Sequence, residues 1–417
     1  MTKNRNRFFV KQKGSVSRTW QDQQPAGGQS EALYSDLPIT EQSVETVGIL
    51  GTKTGTVKKT SRRQFIARTA IATTAFAAPQ ILVLGCKSET PGRSNYQMID
   101  CQSHIFCPEL VSLMEKRQLD PSVYVKDGVS ILKMGDWLRK IPPHYLDVNV
   151  KLAAMDEAGV ERTALSINDP GPECFGSDGL AVAHIANDFI AGIVASYPQR
   201  FFGLCVLPLQ DMSASLIELD RCVNQLNMKG ILLYTNIAGR YPDEQEFRPL
   251  FARASELDLP VLLHPAKPVT IEQVKAYEMT SSLGNMFDDT IALTRIIMSG
   301  MLDEFPKLKL VCPHLGGTLP YFIGRIDHQT QVLKRGPKNL TRAPSEYLRQ
   351  VWLDIVSPQP LAIKFAYDFM GAERLLFSSD HPWVSPSLIR DCLISLNLPK
   401  ADETKILREN ARLLFNI

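Results

Sequence analysis

The strongest constraint on the fold of this chain is a regular alternation of short apolar runs with longer amphipathic stretches, which occupies residues 97–417. The short runs are rich in Val, Ile, Leu and Phe and predict eight β-strands, at residues 97–101, 162–167, 202–207, 230–235, 260–264, 309–314, 351–355 and 374–379. The stretches between them predict helices, for example at residues 180–197, 212–225, 247–257, 290–304 and 360–370. Nearly continuous apolar strands are typical of parallel sheets that are buried on both faces.

Eight β/α units in one segment predict a single (β/α)8 TIM barrel, whose usual size is about 250 residues with insertions allowed. A doubly wound open sheet is the alternative. It lacks support because no G-x-G-x-x-G or G-x-x-x-x-G-K-[ST] motif follows an early strand. The largest insertion runs from about residue 106 to 151, and we expect it to form a lid over the barrel mouth.

The N-terminal part of the chain has the pattern of a targeting signal and not that of a folded domain. Residues 1–57 are polar and without periodicity, and we interpret them as a disordered extension or as an artefact of start-codon assignment. Residues 58–86 contain a paired arginine followed by 18 uncharged residues, 69–86, which is typical of a twin-arginine signal peptide. A short membrane helix is the alternative. Residues 87–96 form a polar linker.

Such a signal predicts export, with the mature protein periplasmic or anchored to the membrane. Cys86 ends the sequence Val83-Leu84-Gly85-Cys86, which resembles a lipoprotein cleavage box and makes this cysteine a candidate for lipidation. We expect no other contact with a membrane. The formal net charge is only +2, which argues against nucleic acid as a partner, and eight cysteines are too few for a disulfide framework. A small molecule is the expected partner.

Four polar residues stand at the ends of four different predicted strands. His264 and His314 end the fifth and sixth strands, and His104 and Asp380 come just after the first and eighth. Because the carboxyl ends of all barrel strands open onto one face, these side chains are expected to converge there. Imidazoles with one carboxylate form a site suited to Zn²⁺, Mn²⁺ or Fe²⁺. A lone histidine at such a position is more often structural, but four coinciding positions favour a site.

Two further residues are predicted to face the barrel mouth and to bind substrate. Asn168 follows the second strand, where it alternatively forms a turn with Asp169 and Pro170, and Trp383 follows the eighth strand. On the first strand, alternation sends Gln102 and His104 to the same side.

The chain resembles the amidohydrolase superfamily, in the branch that contains 2-amino-3-carboxymuconate-6-semialdehyde decarboxylase, γ-resorcylate decarboxylase and dicarboxylate lactonases. The resemblance covers nearly all of residues 97–417. It rests on these motifs: Ile99-Asp100-x-x-x-His104, Leu262-Leu263-His264-Pro265, the run from Ser299 to Leu308, His314-Leu315-Gly316-Gly317-x-x-Pro320-Tyr321, and Ser379-Asp380-x-Pro382.

This resemblance implies that His104, His264 and Asp380 bind one divalent metal ion, with zinc first and manganese or iron as alternatives. It implies that His314 is the general acid/base, and that Arg325 binds a substrate carboxylate or a second subunit of a homodimer. Members of the superfamily that bind two metal ions carry a carboxylated lysine at the end of the fourth strand. No lysine ends that strand here, so the resemblance implies a single metal ion. The family has His or Glu where this chain has Gln102, which becomes either a weak neutral ligand or merely a hydrogen-bonding residue.

Two reactions fit these residues. In decarboxylation His314 supplies the proton that replaces CO₂, whereas in hydrolysis of an amide, ester or lactone Asp380 accepts a proton from the attacking water. The motif that begins at His314 is closest to the decarboxylases, and a carboxy-lyase acting on a small carboxylic acid is therefore our prediction. A hydrolase is the alternative. Gln102 keeps open a third reading, an exported binding protein without catalysis.

Overall fold

A computed structural model of the chain describes residues 97–417. The predicted extension at 1–57, the signal peptide at 58–86 with Cys86, and the linker at 87–96 lie outside the described residues.

Eight parallel strands form the barrel, in the order β1, β5, β6, β7, β8, β9, β10, β11, and three antiparallel strands form a separate small sheet. The strands are β1 Met98–Ile105, β2 Ser122–Lys126, β3 Val129–Met134, β4 Trp137–Ile141, β5 Val160–Ile167, β6 Phe201–Cys205, β7 Gly230–Tyr234, β8 Val261–His264, β9 Leu310–Cys312, β10 Trp352–Asp354 and β11 Leu375–Leu376. The predicted TIM barrel is confirmed.

Helices follow the barrel strands and cover the outside of the barrel. The α-helices are α1 Pro108–Glu115, α2 Val148–Ala158, α3 Gly179–Ser196, α4 Met212–Asn224, α5 Arg248–Glu256, α6 Ile271–Val274, α7 Asn285–Met298, α8 Met301–Glu304, α9 Leu319–Asp327, α10 Pro344–Leu348, α11 Pro360–Met370, α12 Pro386–Ile394, α13 Lys400–Thr404 and α14 Asn410–Phe415.

The cylinder closes between β1 and the segment that continues β11. Main-chain hydrogen bonds join Asp380 N to Gln102 O at 2.9 Å and His104 N to His381 O at 2.7 Å. The buried Asp100 carboxylate adds to this junction by accepting a hydrogen bond from Ser379 N at 3.0 Å. We call this region the β1–β11 junction; it places the end of the first strand beside the end of the last.

Strand β1 continues past the predicted end at residue 101 to Ile105. Its register against β5 shifts between Asp100 and Ser103, as in a β-bulge. Bulges re-aim side chains next to functional sites. Here the bulge lies where Gln102 enters the barrel interior.

The predicted insertion contains an antiparallel meander of β2, β3 and β4, which we call the lid meander. It ends before α2, which begins at Val148 and belongs to the first β/α unit. The lid meander packs its Leu132 and Trp137 side chains into the core. Asp136 of its second turn pairs with Lys275 beyond α6 at 2.7 Å.

The helix predicted at 290–304 is in fact two helices with an earlier start. Helix α7 begins at Asn285, and Gly300, with φ of +78°, separates it from α8. Glycine has no Cβ and adopts this left-handed conformation at low cost, and a left-handed residue cannot continue an α-helix. The helix therefore ends just before Gly300. The earlier start brings Asp288 and Asp289 into the first turns of α7, where both are fully buried.

One helical stretch among the described residues, Pro172–Ser196, is by length and composition apolar enough to cross a membrane. Its residues Val182, Ala186 and Ile190 belong to the buried core of the barrel. Packing against the barrel therefore accounts for its apolar face.

Candidate metal centre and active site

His104, His264 and Asp380 meet at the C-terminal end of the barrel, and we call them the ligand triad. His104 Nε2 lies 3.2 Å and His264 Nε2 lies 3.4 Å from Asp380 Oδ1. The two imidazole rings stand edge to face with centroids 4.2 Å apart. All three donor atoms lie within 4.8 Å of one another.

Neighbouring groups orient both imidazoles toward Asp380. His264 Nδ1 lies 2.8 Å from Pro265 O, and because a carbonyl oxygen only accepts, this nitrogen carries the hydrogen. His104 Nδ1 lies 2.8 Å from the Ser166 hydroxyl. The neutral ring of His264 therefore turns an unprotonated Nε2 toward Asp380, and the neutral ring of His104 does so when its Nδ1–H donates to Ser166. Such hydrogen bonds to the far nitrogen are typical of metal-binding histidines.

The ligand triad fits a divalent metal ion. Donors about 2.1 Å from an ion at angles near 90–110° are themselves about 3.0–3.4 Å apart, which is the spacing seen between each imidazole and Asp380. His104 Nε2 is buried and makes no well-formed hydrogen bond. Burial and the neighbouring His264 lower the pKa of His104 to about 4, so its ring is neutral and able to bind a metal at neutral pH.

Gln102 lies beside the ligand triad. Its Nε2 donates to Asp380 Oδ1 over 3.2 Å, while its Oε1 is buried without a hydrogen-bond partner. An orphaned buried oxygen next to three metal-binding donors is what a fourth, weak ligand would leave in the absence of an ion. Gln102 as a ligand stays a prediction.

The sequence predicts His314 as the last residue of a strand at 309–314. In the structure β9 ends at Cys312, and His314 lies in the turn that follows it. Its backbone adopts a left-handed φ of +51°, an uncommon conformation for a residue with a Cβ. The buried Asp354 carboxylate at the end of β10 holds this turn by accepting from His314 N at 2.8 Å. The turn directs the imidazole toward the ligand triad, with Nε2 3.8 Å from Asp380 Oδ2.

The other nitrogen of His314 binds a carboxylate that the sequence analysis missed. His314 Nδ1 donates to Asp289 Oδ2 over 2.9 Å, and Asp289 is fully buried on α7. Burial alone would lower the pKa of His314, but the carboxylates of Asp289 and Asp380 outweigh it and raise this pKa well above its usual value. The imidazole is therefore held as a cation that presents an N–H to the site.

The pKa values of Asp289 and Asp380 are shifted in opposite directions. Burial raises the pKa of Asp289 to about 6. Burial acts in the same direction on Asp380, but the close imidazoles of His104, His264 and His314 outweigh it and lower this pKa well below the usual value. Asp380 is thus an anion at neutral pH, as a metal ligand must be.

A cleft of about 800 Å³ opens above the ligand triad. His264, His314 and Asp380 line its floor, and the lid meander contributes Trp137 and Arg139 to its wall. The cleft therefore joins metal-binding, proton-donating and aromatic groups in one space.

Arg139 forms the centre of one wall. Its guanidinium lies between the rings of Trp137 and Trp383, 4.7 and 4.5 Å from their centroids, and pairs with the buried Asp169. Trp383 Nε1 donates to Asn168 Oδ1 over 2.9 Å. Of the predicted substrate-binding residues, Trp383 lines the cleft and Asn168 contacts Trp383 behind it.

Arg325 is not brought to this cleft. It is exposed on α9 and is absent from the cleft lining. Its predicted role in substrate binding has no support from this geometry, because the site residues lie on other elements.

Asp289 and Arg139 are among the polar residues of the site that were not predicted from the sequence. The signal for Asp289 was a pair of adjacent aspartates on the apolar face of a helix, where charges are otherwise rare. Arg139 lies in the insertion. The expectation that functional residues stand at the carboxyl ends of barrel strands makes no prediction for residues there.

The family model of the amidohydrolases matches residues 99–417. The chain therefore belongs to the amidohydrolase family. Its relatives place it in the decarboxylase branch of that superfamily, so the predictions of an enzyme and of a carboxy-lyase are confirmed.

γ-Resorcylate decarboxylase of Rhizobium sp. strain MTP-10005 is 30% identical over 301 residues, which cover 68% of this chain and 91% of the relative. The 2-amino-3-carboxymuconate-6-semialdehyde decarboxylase of Dictyostelium discoideum is 29% identical over 321 residues, which cover 74% and 88% of the two chains. A dihydroxybenzoic acid decarboxylase from Polaromonas sp. JS666, solved with bound manganese and the inhibitor 2-nitroresorcinol, is 28% identical with a TM-score of 0.65. The match covers 76% of this chain and 96% of that structure.

Proposed function

We propose that this protein removes the carboxylate of a hydroxylated aromatic acid as CO₂, with one divalent metal ion bound by His104, His264 and Asp380. The observation that carries the proposal is the pairing of a metal-binding triad with the cationic His314 in one aromatic-walled cleft. The similar decarboxylases of γ-resorcylate and dihydroxybenzoic acid support this substrate class.

The metal ion would supply a Lewis acid for the oxygens of the substrate. The chain itself fixes the position of the acid. Asp289 orients His314 through Nδ1, which leaves the Nε2 hydrogen directed at the space beside Asp380.

Decarboxylation needs a proton at the ring carbon that carries the carboxylate. His314 Nε2 donates this proton; the carbon–carboxylate bond then breaks, its electron pair restores the aromatic ring, and CO₂ leaves. The neutral His314 regains a proton from solvent. Asp380 Oδ2, at 3.8 Å, is close enough to steady the cation before transfer.

The walls of the cleft suit a flat, anionic substrate. Trp137 and Trp383 offer aromatic faces, and the guanidinium between them, whose charge Asp169 balances, brings N–H donors to the same wall. Aromatic rings stack on such faces, and guanidinium N–H groups donate hydrogen bonds to the oxygens of an acidic substituent.

Further parts of the proposal concern the metal and the location of the protein. Manganese in the similar Polaromonas enzyme supports Mn²⁺ as the first ion to test, with Zn²⁺ and Fe²⁺ as the other proposals. The arginine pair at 62–63 supports export to the periplasm by the twin-arginine route, and Cys86 is the proposed lipid anchor. A homodimer is proposed from the family resemblance.

The test is a metal-replete assay. The purified chain is stripped of metal, reloaded with Mn²⁺ or Zn²⁺, and offered hydroxybenzoic acids, lactones and amides while CO₂ release and hydrolysis are both measured. We expect CO₂ release from a hydroxybenzoic acid that His314→Asn abolishes with metal content intact. The matched control is His184→Asn, an exposed histidine on α3 outside the cleft lining. Hydrolysis without CO₂ release would overturn the proposal.

A further inference from the structure

A buried lysine connects the helix layer to the metal centre. Lys151 of α2 is only 3% exposed. In its ammonium form Nζ donates to Ser103 Oγ over 2.6 Å, to His381 Nδ1 over 2.8 Å and to His381 O over 3.2 Å. These three acceptors match the three hydrogens of an ammonium group, so the side chain is held at three points.

No carboxylate neutralises this ammonium at close range. Among residues 97–417, no Asp or Glu oxygen forms an ion pair with Lys151. Burial lowers its pKa to about 7, and Asp100 and Asp380 oppose this only from a longer distance. Burying an ammonium costs several kcal/mol that hydrogen bonds to neutral groups offset only in part. Fold stability alone would therefore favour an apolar side chain at this position.

The acceptors of Lys151 belong to the two segments that carry the metal-binding groups. Ser103 lies between Gln102 and His104 on β1, and His381 directly follows Asp380. Ser103 and His381 also face each other as a parallel bridge, with Ser103 Oγ donating to His381 O over 3.2 Å. Lys151 thus ties together the two sides of the β1–β11 junction from behind.

The spacing of this junction decides the spacing of two ligands. His104 Nε2 and Asp380 Oδ1 lie 3.2 Å apart, and each belongs to a segment that Lys151 holds. A shift of the Asp380 segment by even half an ångström would move these donors out of the narrow range that one ion accepts. When Lys151 is an ammonium group, which only donates, its hydrogen bond to Nδ1 leaves His381 with the ring hydrogen on Nε2.

We propose that Lys151 is a positioning residue of the metal centre, which holds the Asp380 segment against β1 at the spacing a divalent ion requires and fixes the tautomer of His381. The inference rests on the metal-binding part of the proposed function. It assigns no contact between Lys151 and the substrate or the ion.

The first test measures metal binding without turnover. Full-length, metal-free protein is titrated with Mn²⁺, and free Mn²⁺ is followed by electron paramagnetic resonance. We expect Lys151→Met to weaken Mn²⁺ binding about 10- to 100-fold, in the range typical of groups that orient metal ligands. We expect Lys151→Arg, which keeps a charged donor, to recover most of this loss.

The matched control is Lys309→Met. Lys309 donates to the Asp258 carboxylate and to Leu414 O, and lies just before β9 at the opposite end of the barrel from the ligand triad. We expect this variant to bind Mn²⁺ like the wild type even if it unfolds more easily. If Lys151→Met does not fold, Ser103→Ala, which removes one of the three acceptors, takes its place with a smaller expected loss of affinity.

The second test reads the tautomer directly. In metal-free protein, the ¹⁵N chemical shifts of the His381 ring are expected to show an unprotonated Nδ1 and a protonated Nε2, and Lys151→Met is expected to change this pattern. Unchanged Mn²⁺ affinity together with unchanged His381 shifts would overturn the inference. A wild type that binds Mn²⁺ but releases no CO₂ would instead overturn the proposed function and leave the role of Lys151 standing.

Discussion

Replacing Glu173 with glutamine should stabilise the protein at high pH and leave it unchanged at low pH. Glu173 follows β5 in the loop before α3 and is only 6% exposed. No Lys, Arg or His pairs with it among the described residues, and its contacts are the thiol of Cys174, 3.7 Å from Oε1, and the crowded space beside Gly171 and Tyr234. Burial raises its pKa from 4.5 to about 7.

The magnitude follows from this shift. The difference of 7 − 4.5, or about 2.5 pKa units, corresponds to about 3 kcal/mol at ~1.36 kcal/mol per unit. Because the folded-state pKa lies above the unfolded one, the favourable contribution of the protonated carboxyl is complete below about pH 4.5 and is lost as the pH rises through about 7. Glutamine does not titrate, so the advantage of Glu173→Gln should grow from near zero at pH 4.5 to at most about 3 kcal/mol at pH 8.

The assay is urea unfolding of wild type and variant at several pH values between 4.5 and 8. Glu218→Gln is the matched control, because Glu218 is equally buried but hydrogen-bonded by Arg221 and Asn187, which outweigh burial and lower its pKa. That variant should be less stable than wild type at neutral pH, and its deficit should shrink on acidification. A free-energy difference for Glu173→Gln that does not change with pH would refute the reasoning.

Further predictions concern the active site. Asp289→Asn should lower kcat about 10²- to 10⁴-fold with Mn²⁺ affinity retained, since it removes the carboxylate that orients His314. An equal loss of kcat and of Mn²⁺ affinity would contradict this. Gln102→His should bind Mn²⁺ at least about tenfold more tightly in the same titration, because imidazole is a better donor than an amide. The wild-type kcat should fall as the pH rises through the raised pKa of His314, in a pH–rate profile of the metal-loaded enzyme. Trp383→Leu should raise KM for a hydroxybenzoic acid more than it lowers kcat, since it removes a stacking face.

The sequence predicted the residues that stand at strand ends. Parallel strands of a closed barrel deliver their carboxyl ends to one face, so the linear order of His104, His264 and Asp380 was enough to anticipate their meeting. The predicted strand bounds were less accurate. Strand β1 was predicted to end at residue 101 but continues to Ile105 through a bulge, which no local sequence pattern indicates.

Residues that act from outside the strand ends could not be predicted in the same way. Asp289 reaches His314 from a helix whose start the apolar pattern placed five residues too late, at 290 rather than Asn285. Lys151 lies on a helix, where a lysine is ordinarily exposed, and its burial depends on how α2 packs behind the β1–β11 junction. Such contacts are set by tertiary packing, which periodicity does not encode.

The lid meander has a consequence for how such an enzyme can diversify. The groups that perform the chemistry come from strand ends and α7, whereas Trp137 and Arg139 arrive on one short insert between β1 and α2. Exchange of about twenty consecutive residues would therefore give the cleft a new wall without disturbing a single bond of the reaction centre. Selection for new substrates can therefore act on that insert with little effect on the catalytic groups.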